Sequence, residues 1–274
     1  MPTAITWTDE TWNPVTGCSH VSPGCEFCYA EKLTLRFHPD SKPWGAQYAA
    51  ENVILHPERL RVPLTWKRPR RVFVNSMSDL FHELVPFEFI ARVWDVMFEA
   101  DRHTFQILTK RPERMREFAI WMNDTQFRRI DYENVWLGTS AENQACADLR
   151  IPILLSVPAA LHFVSVEPLL GPVTLERWIG SAPLISWCIV GGESGGPAAR
   201  RLVQPDGHGA WRATGEAESW VRAIRDQCLS ADVAFHFKQF GGSTHASGGR
   251  ILDGRTWDDI PRRPPAEPTA HAIK

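Results

Sequence analysis

The sequence predicts an α/β fold, a full or partial (β/α) barrel with parallel strands and helices outside. Three observations carry this. Short apolar runs recur along the chain and read as strands covered on both faces: Val72–Val74, Phe105–Leu108, Val135–Leu137, Leu161–Val166, Ser186–Val190 and Ala234–Phe237. Stretches with helical periodicity separate them. Polar or glycine-rich residues follow each run at once, as where the loops after the strands form one functional face. A doubly wound open sheet is the rival, and a count of about six or seven βα units favours the barrel.

Taken in order, Ile5–Trp12 is rich in Thr, Trp and Ile and reads as a first strand. It leads into a loop carrying Cys18, Cys25 and Cys28, bounded by Gly17 and the turn Ser22-Pro23-Gly24. Glu26–Phe37 is helix-like, and residues 38–69 are polar and irregular. The strand Val72–Val74 ends in Asn75-Ser76-Met77-Ser78-Asp79. Phe87–Ala100 places Ile90, Val93, Trp94 and Met97 on one helical face. Phe105–Leu108 ends in Thr109-Lys110-Arg111-Pro112, and Pro112 suits the first turn of a helix running to Met122.

Val135–Leu137 ends in Gly138-Thr139-Ser140-Ala141-Glu142-Asn143. Ala145–Ser156 reads as a helix in which Pro152 argues for a break. Leu161–Val166 ends at Glu167-Pro168, and Ser186–Val190 at Gly191-Gly192-Glu193. Gly195–Gly215, rich in Gly, Pro and Arg, reads as a long loop and a candidate lid. Glu218–Cys228 is the last helix and Ala234–Phe237 the last strand, ending in Lys238-Gln239. The expected organisation is one barrel domain over 1–257, an insertion at about 195–215, and a disordered proline-rich tail over 258–274.

A chain of 274 residues, 43% hydrophobic, can bury a large core, and a net charge of −2 argues against a general polyanion binder. Three of the six cysteines crowd into one loop, which suits a metal site in a reducing compartment better than a disulfide scaffold. Cys146, Cys188 and Cys228 read as buried small hydrophobes. The N-terminal residues lack the pattern of a signal peptide, and no apolar run is long enough for a membrane span. The expectation is a cytoplasmic protein without a membrane partner.

Three thiolates at a loop-to-helix junction can hold a metal ion or an iron–sulfur cluster. With three ligands and no obvious fourth, a cluster keeps one iron open. The alternative takes His20 as a fourth ligand, giving a non-catalytic, zinc-stabilised binding module.

The loop, Cys18-x6-Cys25-x2-Cys28 followed by Tyr29, resembles the cluster-binding loop of radical S-adenosylmethionine (SAM) enzymes. The usual spacing there is three residues then two, and here it is six then two. The phrases TWNPVTGC, FVNSMSDLF, ILTKRPERM, VWLGTSAENQ, FVSVEPLLGPV and IVGGESGG resemble a phage- and prophage-associated family of unknown function in that superfamily, over roughly Thr6–Gly242. More distantly, Ser76–Asp79 and Thr109-Lys110 are similar to cofactor-contacting segments of spore photoproduct lyase. The resemblance implies a radical-SAM-type barrel and a [4Fe-4S] cluster on Cys18, Cys25 and Cys28. It also implies cleavage of SAM to a 5′-deoxyadenosyl radical and an electron donor such as flavodoxin or ferredoxin.

The cofactor is a sulfonium zwitterion, whose amine seeks a carboxylate or hydroxyl and whose carboxylate seeks a cation or donors. Ser76, Ser78 and Asp79 are candidates for the first, Thr109 and Lys110 for the second, and Thr139, Ser140 and Asn143 for the ribose or carboxylate. Glu167, Glu193 and Lys238 are candidate substrate contacts. Structural readings stand beside these: Asp79 as a turn cap before Phe81, Lys110-Arg111 as a solvated helix start, and Glu167 as a core carboxylate paired with an arginine. For the substrate, Lys67-Arg68-Pro69-Arg70-Arg71 with Arg200 and Arg201, and Trp12, Trp66 and Trp211 for stacking, point to a nucleic acid or nucleotide. A peptide or small molecule competes with it.

Overall fold

Side chains alternate across each strand, and in this chain both alternating sets are apolar, so the sheet must be covered on both faces. The computed structural model, which describes residues 3–180, 184–208, 210–244 and 246–261, shows how. Seven strands form one sheet: β1 (Glu10–Trp12), β2 (Arg71–Val74), β3 (Thr104–Thr109), β4 (Val135–Ser140), β5 (Leu161–Val166), β6 (Trp187–Gly191) and β7 (Ala234–Gln239). Every neighbouring pair is parallel. Spatial order equals chain order, with no reversal. Right-handed crossovers in a sheet that never reverses place all its helices on one side, which is the winding of a barrel and not of a doubly wound sheet. Because β1 and β7 are both edges, the barrel is the partial form, curled and open.

The main helices are α1 (Tyr29–Phe37), α2 (Phe87–Glu99), α3 (Pro112–Gln126), α4 (Gln144–Leu155) and α5 (Gly215–Ser230). Val72 and Val74 on β2 face outward into a core with Ile90, Trp94 and Phe118 of α2 and α3. Phe73, between them, points inward to Trp7, Trp136, Phe163 and Trp187. Trp7 lies 4.6 Å from Phe73 and 5.9 Å from Trp187, ring centre to ring centre. This aromatic layer plugs the concave side, each fully buried ring contributing about 1.5–3 kcal/mol. Gly138 on β4 makes room for it, since a Cβ there would sit 2.5 Å from the Phe163 ring.

Several elements depart from the sequence reading. β1 is shorter than expected because Trp7 turns into the inner layer. α1 begins at Tyr29, since Pro23–Cys25 forms a separate 3-10 turn. α4 runs through Pro152 without a break; burial of Ile151 and Leu154 holds the last turn despite the missing N–H. The segment expected as a long loop, 195–215, contains a 3-10 turn (Ala198–Arg200) and a hairpin pairing Val203–Pro205 with Trp211–Ala213. Of the expected tail, Asp259 N–H donates to Phe235 O (3.2 Å) and Trp187 Nε1–H to Asp259 O (3.0 Å), so packed chain continues past 257. Residues 262–274 of that tail lie outside the described residues. Among the described residues, no helix is long and apolar enough to cross a membrane.

Candidate functional site

The loop after β1 is zipped to the loop after β2. Gly17 N–H donates to Met77 O (3.0 Å), and Ser78 Oγ–H donates to Val15 O (2.9 Å). Gly17 has φ +80°, and a Cβ there would lie 1.9 Å from Asn52 O, so only glycine fits. Asn75, also left-handed at φ 62°, accepts Val15 N–H on Oδ1 (3.4 Å). The next turn is tied to β4: Gly24 N–H donates to Glu142 Oε1 (3.3 Å). Cys18, Cys25 and Cys28, all free thiols, thereby come to line one cavity together with Ser76, Ser78 and Asp79 after β2. Thr109 and Lys110 after β3 and Ser140 of β4 line the same cavity.

Arg111, only 5% exposed, organises the floor. Its guanidinium donates to Asp79 Oδ2 (3.3 Å), Ser19 O (3.0 Å), Glu83 Oε1 (3.2 Å) and Cys18 Sγ (3.5 Å). Asp79 is saturated, because Oδ1 accepts Phe81 N–H (3.0 Å) and Thr109 Oγ1–H (2.7 Å), and Oδ2 also accepts Lys110 N–H (3.0 Å). The carboxylate expected to meet an amine thus caps its turn and holds Arg111. Thr109 is equally occupied, since its hydroxyl accepts Arg111 N–H (2.9 Å) while donating to Asp79. Burial, helped by the Asp79 charge and opposed by Arg111, pushes the Cys18 thiol up to about 12. Burial raises Cys28 as well.

The serines behave differently. Ser76 Oγ–H donates to Asn13 Oδ1 (3.3 Å) and Ser78 Oγ–H to Val15 O, leaving both oxygens as acceptors at the cavity. That is the polarity an ammonium group requires. Asn143, a candidate ribose contact, instead caps α4 by accepting Cys146 N–H (2.9 Å), because its side chain follows the strand directly into a helix start.

Glu142, which the sequence reading left without a role, is fully buried and pairs with Arg150 at 2.8 Å. Burial opposes its ionisation, but the charges of Lys110 and Arg150 and a hydrogen bond from Ser22 hold it at about 2. Position was the available signal: it follows β4 on the polar edge.

Glu167 and Lys238 form an ion pair at 2.7 Å at the same edge of the sheet, joined by Gln239 Nε2–H at 3.2 Å. The pairing expected for Glu167 exists, with a lysine in place of an arginine. Glu193 is not open to a substrate. Arg200 clamps both of its oxygens, Nε to Oε2 at 2.9 Å and Nη2 to Oε1 at 2.7 Å, and also donates to Pro23 O (2.7 Å) and pairs with Glu26. The 195–215 segment is therefore strapped to the cysteine turn.

The remaining substrate contacts need correction. Arg71 opens β2 and pairs with Asp9, and Arg70 just before it pairs with Glu10, so Lys67–Arg71 lies at the end of the sheet opposite the cysteines. Residues that precede a parallel strand cannot share an edge with residues that follow it. Arg200 is consumed by Glu193, and Arg201 sits over the Trp211 ring while donating to Gly196 O. Trp12 is buried in the outer core and Trp66 packs on His103, so neither stands at the cavity. His20 Nε2 is 2.8 Å from Glu31 Oε2. Among the described residues, no three His, Cys, Asp or Glu side chains converge on a single ion position. A cubane cluster asks for less convergence than one ion does, since each cysteine binds a different iron.

A family model described as "Protein of unknown function (DUF5131)" matches residues 2–261. No curated protein matches the chain. Among solved structures, spore photoproduct lyase complexed with dinucleoside spore photoproduct is similar with a TM-score of 0.47 and 10% identity, over 84% of this chain and 75% of that one.

Proposed function

The chain belongs to the DUF5131 family, and we propose that it is a radical SAM enzyme whose Cys18, Cys25 and Cys28 hold a [4Fe-4S] cluster. One observation carries this reading: three free thiols share a single cavity with Ser76, Ser78, Lys110 and Ser140 at the carboxyl edge of a parallel sheet. The donor set fits the cluster, with three sulfur ligands; His20 lines the same cavity and its Nε2 is held by Glu31 Oε2 at 2.8 Å. When bound, cluster and SAM together supply one-electron reductive cleavage of the sulfonium.

The chain's own residues then have distinct tasks. Ser76 and Ser78 would accept from the methionyl ammonium, Lys110 would pair with the carboxylate, and Ser140 would contact the ribose. Asp79 and Thr109 do not touch the cofactor; they hold Arg111, which fixes Ser19 and Cys18. The inner aromatic layer closes the barrel below and excludes water. Glu167 and Lys238 offer an ion pair to a polar substrate. A nucleotide or nucleic acid is the substrate class to test first, lying along α1, where Tyr29 and Phe37 are exposed and Arg36 lies over the Phe37 ring. The reductant is a donor such as flavodoxin or ferredoxin.

Anaerobically reconstituted protein is expected to take up iron and sulfide, and with dithionite and SAM to release 5′-deoxyadenosine. Cys25→Ala is expected to abolish release. Stoichiometric zinc without iron uptake, or full turnover in the variant, overturns the reading.

A further inference from the structure

Most buried polar side chains in the described residues are paired, and those that are not stand out. Two of the unpartnered groups belong to residues lining the cysteine cavity: the Trp44 indole N–H and the Asn75 Nδ2–H. Asn75 sits beside Ser76, where the methionyl group is placed above. Trp44 belongs to the surroundings of the cysteines themselves. It is 3% exposed. Its backbone N–H donates to Glu31 Oε1 (2.7 Å) on α1, and its carbonyl accepts His20 N–H (3.0 Å) from the cysteine loop. The residue is fixed at both ends, so the unpaired indole N–H is not a consequence of a loose loop.

A buried donor without an acceptor carries its full desolvation cost. The cost is recovered if the cavity holds an anionic acceptor. Thiolate and sulfide sulfurs are such acceptors, and hydrogen bonds to them are one of the levers on cluster potential. We propose that Trp44 is a positioning and tuning residue that donates its indole N–H to a sulfur of the cluster on Cys18, Cys25 and Cys28. This rests on the functional reading above. The donor stabilises the extra negative charge of the reduced state, so losing it must make reduction harder. A bond that strengthens on reduction enough to shift the oxidised-to-reduced ratio about tenfold moves a one-electron couple by ~59 mV.

The test uses reconstituted full-length protein and Trp44→Phe, which keeps the ring and removes the donor. Redox titration followed by EPR is expected to show a more negative potential in W44F by about that amount. Trp136→Phe is the control: its indole N–H is also buried and unpartnered, but Trp136 lies in the inner layer and does not line the cavity, so its potential should match wild type. Should W44F not fold, wild-type protein carrying 15N-indole tryptophan is expected to show hyperfine coupling between that nitrogen and the reduced cluster. An unchanged potential in W44F, an equal shift in W136F, or no 15N coupling overturns the role of Trp44 while leaving the cluster in place. Failure of wild type to assemble any cluster overturns the functional reading itself.

Discussion

Replacing Glu142 by Gln tests how the cysteine loop is held. The side chain is fully buried, paired with Arg150 at 2.8 Å and bonded to Gly24 N–H. Its carboxyl falls from the ordinary 4.5 to about 2. At about 1.4 kcal/mol per pH unit, that difference corresponds to about 3 kcal/mol of folding stability. The figure agrees with the ~3–5 kcal/mol lost when one partner of a buried ion pair is removed, here leaving a buried Arg150 charge uncompensated. The folded-state value lies below the unfolded one, so the contribution is complete above pH 4.5 and disappears as pH falls towards about 2. Urea denaturation should therefore find E142Q less stable than wild type by about 3 kcal/mol near neutral pH, with the gap about halved near pH 3. Hydrogen exchange should also quicken from Ser22 to Cys28, since the amide of Gln has one acceptor oxygen where the carboxylate used one for Gly24 N–H and the other for Arg150. A neutral-pH loss under about 1 kcal/mol, or a gap that does not narrow on acidification, refutes the reasoning.

Gly17→Ala should lower stability by at least ~1–2 kcal/mol from the left-handed backbone alone, with the contact to Asn52 O added, and calorimetry reads it directly. Gly138→Ala should cost about 1–3 kcal/mol by overpacking against Phe163, measurable as a lower denaturation midpoint with an unchanged m-value. Arg200→Ala leaves Glu193 buried and unpaired, so limited proteolysis should cut 195–215 faster than in wild type while distant sites are spared. Arg70→Ala with Arg71→Ala should leave 5′-deoxyadenosine release and any stimulation by polynucleotides unchanged, because both residues stand at the far end of the sheet; a salt-sensitive loss of stimulation would restore them as substrate contacts.

The sequence by itself determined the strands, their parallel winding, and the three cysteines with the polar residues after each strand. These are local patterns. A strand announces itself by its own apolar residues, and the residue after it lies on the carboxyl edge whatever the rest of the chain does. Strand polarity alone puts Arg70 and Arg71, which precede β2, at the far end from the cysteines, and reading them as substrate contacts neglected it. The helix through Pro152 was harder, because the burial of Ile151 and Leu154 that sustains it comes from packing. Only the tertiary structure decided which charged side chains remain open to a ligand. Asp79, Glu193 and Glu167 look alike as acidic residues after strands, yet Arg111 and Arg200 occupy the first two, and Glu167 meets Lys238 at a partly exposed edge. Asp79 and Glu167 meet partners 32 and 71 residues away and Glu193 meets Arg200 only 7 away, but the loops around them are fastened from farther: Arg111 and Cys18 are 93 residues apart, Gly24 and Glu142 118, Arg200 and Glu26 174. Whether a buried carboxylate is a ligand or a strut depends on which donors reach it after desolvation, and no periodicity in the sequence encodes a contact across that distance.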